Sequence, residues 1–142
     1  MFTAKVYTVM IGSLSGTMEE VFTAKEVVRK YNQEKTESTG KLFLPVEWSM
    51  KPQDLKNVDV LIGIVGNWID KPEFIEDCLK AGKKVKLFFN SFHDPQNSIQ
   101  TEVDDVEEFR LKIKNQYLCY DYNGPADFEK VLSSAMDKTI YQ

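Results

Sequence analysis

Residues 6–32 constrain this chain more than any other stretch, because an apolar run, Val6–Ile11, passes through a small-residue turn straight into a helical pattern. The turn reads Gly12-Ser13-Leu14-Ser15-Gly16-Thr17. Val21, Ala24, Val28 and Tyr31 then recur at three- and four-residue spacing, which lays one apolar stripe on a helix. A buried parallel strand that feeds a helix through Gly and Ser leaves backbone N–H groups unpaired at the strand's carboxyl end. In an open α/β sheet, that end is where ligands bind. Thr17 and Glu20 have capping-box spacing. The helix is expected to fade by Asn32, ahead of the polar stretch Gln33–Gly40.

The same alternation continues to the end of the chain. Lys41–Trp48 reads as a second strand, and Pro45 places it at an edge, since proline cannot donate to a ladder. Pro52–Asn57 reads as a short helical turn. Asp59–Gly66 is apolar on both faces and therefore central. A helix opens at Pro72, buries Phe74, Ile75, Cys78 and Leu79, and stops at Gly82. Val85–Phe89 is a fourth strand, and Asn90–Ile99 a loop turning at Asp94-Pro95. A charged helix through Val103, Val106, Phe109 and Ile113 leads to a fifth strand, Tyr117–Tyr122, and a last helix, Pro125–Ile140. Five strands with intervening helices predict one α/β domain over residues 1–142: three layers, α/β/α, around a parallel sheet. Right-handed crossovers and the proline-bearing second strand select the flavodoxin-like order 2-1-3-4-5. The loops after Ile11 and after Val65 then flank one crevice.

Composition narrows the chemistry. A formal net charge of -4 argues against duplex nucleic acid as a partner, which needs a basic face. No apolar run approaches the roughly 20 residues that span a bilayer, and the N-terminus lacks a secretory pattern, so a cytoplasmic protein with no membrane partner is expected. The two cysteines, Cys78 and Cys119, form no C-x-x-C and read as reduced thiols, with one disulfide left open. With His93 the single histidine, neither a zinc site nor a Ser-His-Asp triad has its parts, and no metal or cofactor is expected.

The candidate ligand residues gather around the proposed crevice. Gly12, Ser13, Ser15 and Gly16 would cradle a phosphate; an ordinary turn explains them equally well. Trp68, past the third strand beside Asn67, would stack on a base, since aromatic faces accept any base. Trp48 reads as packing at the core edge. Asp59 would orient a ribose, although opening its strand is the simpler role. As plain residues, Glu20 reads as a capping acid and Glu73 as a helix-dipole acid. His93 lies beyond the fourth strand, where a solvated loop histidine is the commoner case. Asp104, Asp105, Glu107 and Glu108 read as a solvated helix face.

The ordered series of motifs resembles the TIR-like, nucleoside 2-deoxyribosyltransferase-like domains of bacterial defence and signalling proteins. That family opens with a strand, an S-P-x-D-V-x-x-E-R turn and a helix ending W-N. Here Ile11–Val21 aligns without a gap and the helix reaches Tyr31-Asn32. The family's L-P-V-x-W strand is matched by Leu44-Pro45-Val46-Glu47-Trp48, and its C-D-I-L-I-G-I-F strand by Val58–Val65. Its A-G-K-P-V and L-Y-F-S segments are matched by Ala81–Val85 and Leu87–Asn90. The departures fall on functional positions. The family's first-turn aspartate is Gly16, its arginine is Val21, and its glutamate after the third strand falls on Phe74, beside Glu73.

The resemblance implies a TIR-like fold, a nucleotide- or nucleoside-type ligand, and cleavage or transfer at an N-glycosidic bond of NAD or a nucleotide, with Glu20 or Glu73 as the carboxylate. The lost residues imply the alternative, a catalytically degenerate module that acts by forming a homodimer or docking on a defence partner. A flavodoxin-type electron carrier fits the Ser13–Thr17 loop only loosely.

Overall fold

The fold, seen in a computed structural model, is described for residues 2–46, 48, 51–92, 98–113 and 118–138, without the side chains of 52, 53, 118 and 138. The strands are β1 (Lys5–Ser13), β2 (Lys41–Val46), β3 (Val60–Val65), β4 (Lys84–Asn90) and β5 (Leu118–Tyr122). The helices are α1 (Met18–Thr39), α2 (Pro72–Lys80), α3 (Gln100–Ile113) and α4 (Gly124–Lys138), and Pro52–Leu55 forms one 3-10 turn. The sheet order is β2-β1-β3-β4-β5 with every pairing parallel, as predicted.

Alternate residues of each strand feed two separate cores. Val9, Ile11, Ile62, Ile64 and Phe88 pack with α1 and α4 on one face. Met10, Leu61, Val85, Leu87 and Phe89 pack with α2 and α3 on the other. All six residues of β3 are buried, which fits its central place. Among the described residues, the β2–β3 connection carries only the 3-10 turn, so no helix there covers β2 on the second face. Val6 and Leu44 stay about half exposed there.

Helix α1 does not fade at Asn32. It runs through Thr39 and ends on Gly40 in the left-handed conformation. Residues 33–39 contain neither Gly nor Pro, so nothing breaks the helix before Gly40. Two contacts anchor the added turns. Lys35 pairs with Asp137 of α4, and the Asn32 amide bonds β2. Asn32 Nδ2 donates to Phe43 O (2.7 Å) and Asn32 Oδ1 accepts from Phe43 N–H (2.9 Å). Thr39 Oγ1 accepts from Lys41 N–H (3.2 Å). Pro45, two residues on, has no N–H to offer. The outward donors of edge strand β2 are thus capped or absent, a device that blocks edge-to-edge pairing.

Candidate functional site

The two predicted loops do meet at the carboxyl edge of the sheet. Leu14 N–H donates to Ile64 O (2.9 Å), and Asp70 N–H donates to Leu14 O (2.7 Å). Gly66 N–H donates to Ser15 Oγ. Thr17 N–H donates to Ser13 Oγ (2.7 Å), and Thr17 Oγ1 lies 3.0 Å from Ser13 Oγ and 3.2 Å from Ile64 O. Ser13, Ser15 and Thr17 therefore spend their hydroxyls on bracing the loops.

The space between those loops is filled. Leu14 is 1% exposed and reaches across β3, where a Cβ on Gly63 would stand 3.1 Å from Leu14 Cδ1. Gly12 belongs to β1 rather than to the turn. The Trp48 ring lies against it so closely that any Cβ at Gly12 would overlap the indole. Trp48 also meets Phe74 edge-on, with centroids 5.7 Å apart, which makes it the core-edge residue expected. Gly16 adopts φ +68, and a Cβ there would sit 3.4 Å from Trp68 Cζ2. Trp68 is 40% exposed, a partial cap over the turn, with half-buried Asn67 beside it.

The candidate acids do not converge. The capping box does not form, because Ser13 Oγ has taken the Thr17 N–H that Glu20 would need. Glu20 is buried instead, and Tyr122 Oη donates to Glu20 Oε2 (2.8 Å). Burial, and then the bond and charge of Glu20, raise the Tyr122 pKa well above its ordinary value. This pair lies on the α1/α4 face. Glu73 is exposed in the first turn of α2, on the opposite face. Asp59 precedes β3, where its Oδ2 accepts Thr8 N–H (2.7 Å) and its own N–H donates to Thr8 O (2.9 Å). That is the amino end of the strand, about 20 Å from the carboxyl edge. The ribose role does not fit there, and the strand-opening role does. His93 and the Asp94-Pro95 turn lie outside the described residues.

Asp104, Asp105, Glu107 and Glu108 stand exposed on α3. Cys78 and Cys119 are free thiols; burial pushes Cys78 up to about 11 and also raises Cys119, so neither is an activated nucleophile. Buried polar side chains that escaped the sequence reading include Lys86 and Tyr122. Lys86 lies in β4 with its pKa lowered by burial and by Lys84. Tyr122 closes β5, and its signal was a hydroxyl at a core-facing position, which needs a partner when buried.

The fold defines an open, doubly wound parallel α/β protein. No family model and no curated protein matches the chain. Among solved structures it is similar to S. aureus homoserine dehydrogenase at pH 8.5, with TM-score 0.52 and 9% identity over 83% of this chain and 32% of that one. The same enzyme at pH 7.0 gives TM-score 0.51 and 9% identity over 83% and 33%. The chain spans about a third of the length of those structures, and the likeness concerns the fold alone.

Proposed function

We propose that this chain acts by protein–protein contact, as a TIR-like interaction module with degenerate functional positions. One observation carries the reading: the mouth between β1 and β3 is closed by Leu14, Trp48 and Trp68, with its hydroxyls already bonded. A site that breaks an N-glycosidic bond needs a carboxylate beside the anomeric carbon. Here Glu20 and Glu73 sit on opposite faces of the sheet. The test is incubation of the protein with NAD and a set of nucleotides. We expect no base release and no change in thermal midpoint. Base release, or a midpoint that climbs with nucleotide concentration, overturns the reading.

A second reading retains the nucleotide- or nucleoside-type ligand, and the position of Trp68 favours it. What supports it is a half-exposed indole over Gly16, an aromatic face of the kind on which a base stacks. Under this reading nucleotide binding quenches indole fluorescence in the wild type and not in Trp68→Phe.

A further inference from the structure

Exposed apolar side chains gather at the carboxyl edge of the sheet. Met18 opens α1 and Phe22 stands one turn along it; Trp68 follows β3, Phe92 follows β4 and Ile99 precedes α3, each 40% to 69% exposed. Single exposed apolar residues need no explanation, but several at one end of a domain mark a contact surface. Strands β1, β3 and β4 are neighbours about 5 Å apart, so the loops that follow them stand side by side. Trp68 already reaches Gly16, which brings the β3 loop against the approach to α1. Acids stand between these side chains: Glu19 beside Met18, Asp70 and Glu73 after Trp68, and Glu102 after Ile99. We propose that this edge receives a segment of another protein that is both basic and apolar. This rests on the interaction reading above and names its surface and the chemistry of its partner.

Charge selects that occupant. Glu19, Asp70, Glu73 and Glu102 belong to no ion pair among the described residues. Lys51 and Lys71 offset them only in part. Lysines crowd the opposite end instead: Lys5, Lys80, Lys83 and Lys84 lie at strand starts or at a helix end. Nucleic acids and anionic lipid surfaces carry the same sign as the acids and are repelled. A second copy would set these acids against themselves. A basic segment meets them favourably, and its own apolar side chains cover the exposed rings. Helix dipoles account for acids in the first turns of α1, α2 and α3. They do not account for the apolar side chains left in water beside those acids.

The test titrates the full chain with three synthetic peptides that lack tryptophan, followed by calorimetry and indole fluorescence. One peptide sets lysine and leucine at helical spacing, the second replaces every lysine by glutamate, and the third replaces every leucine by serine. The lysine–leucine peptide is expected to bind, to shift indole emission to the blue, and to dissociate as salt is raised. The other two stay unbound. Glu73→Lys and Phe92→Ser each weaken the binding about tenfold or more, with the thermal midpoint held. Leu111→Ser, in the last turn of α3 at the amino edge, leaves it unchanged. No binding of the lysine–leucine peptide, equal binding of either companion peptide, or undiminished binding by Glu73→Lys or by Phe92→Ser overturns the proposal. So does its loss in Leu111→Ser, which moves the contact elsewhere. The nucleotide assay judges the wider interaction reading separately, so either can fail alone.

Discussion

At Gly12 the missing side chain is what allows Trp48 to lie against β1. The indole is then fixed between the strand backbone and the Phe74 ring. A methyl group at this position has no free volume to enter, because the atoms it would strike belong to a bulky ring rather than a flexible tip. Gly12→Ala is therefore an overpacking change and is expected to cost about 1–3 kcal/mol. Denaturant melts measure it. In a Trp48→Ala background the same substitution should cost much less, since the ring it strikes is gone; equal costs in the two backgrounds would refute the contact. Gly12 shows why a turn can be misread from sequence. A glycine between an apolar run and Ser13 looks like loop chemistry. Nothing local reports that a ring from beyond β2 occupies the space above it.

Helix α1 and strand β2 explain one another at the scale of elements. The helix overruns Asn32 because its continuation caps the neighbouring strand. The Asn32 amide satisfies both backbone groups of Phe43, and Thr39 takes Lys41 N–H. Asn32→Ala leaves the Phe43 donor and acceptor without that partner, a loss of about 1–3 kcal/mol. It also reopens an edge, so the variant is expected to self-associate through β2 on mild heating, read as thioflavin-positive aggregates absent from the wild type. Asn32→Asp is the informative companion. It keeps an acceptor for Phe43 N–H and removes the donor to Phe43 O. A wild-type response of Asn32→Ala in both assays would sink the capping argument. Strand order, edge position and helix count were legible because they follow from periodicity and from Pro45. The end of α1 was not. Residues 33–39 are polar, and polarity marks solvent exposure rather than a helix end; the stop was Gly40.

Across the whole molecule, the Tyr122–Glu20 bond joins the first helix to the last strand, between residues 102 positions apart in the chain. It explains why the candidate site was only half legible. The sequence shows Glu20 at a carboxyl-edge helix start, but its partner comes from the far end of the chain. That partner turns a candidate catalytic acid into a buried tie between elements. The tie has a pH signature. Tyr122 is protonated in the fold well above the ordinary tyrosine value of 10.0, first because of burial and then because of Glu20. Its contribution is therefore complete below about pH 10, where the phenol is protonated folded or unfolded. Above that the unfolded chain releases the proton and the folded chain holds it, so stability falls as pH rises. Tyr122→Phe removes the titrating group, and its unfolding free energy should be flatter than that of the wild type between about pH 9.5 and 11. It also costs about 1–3 kcal/mol at neutral pH, because the buried Glu20 carboxylate loses its donor. Urea melts across that range decide the matter. Parallel profiles for wild type and variant would mean that Tyr122 ionises as freely in the fold as in water, and the buried tie between α1 and β5 would have to be abandoned.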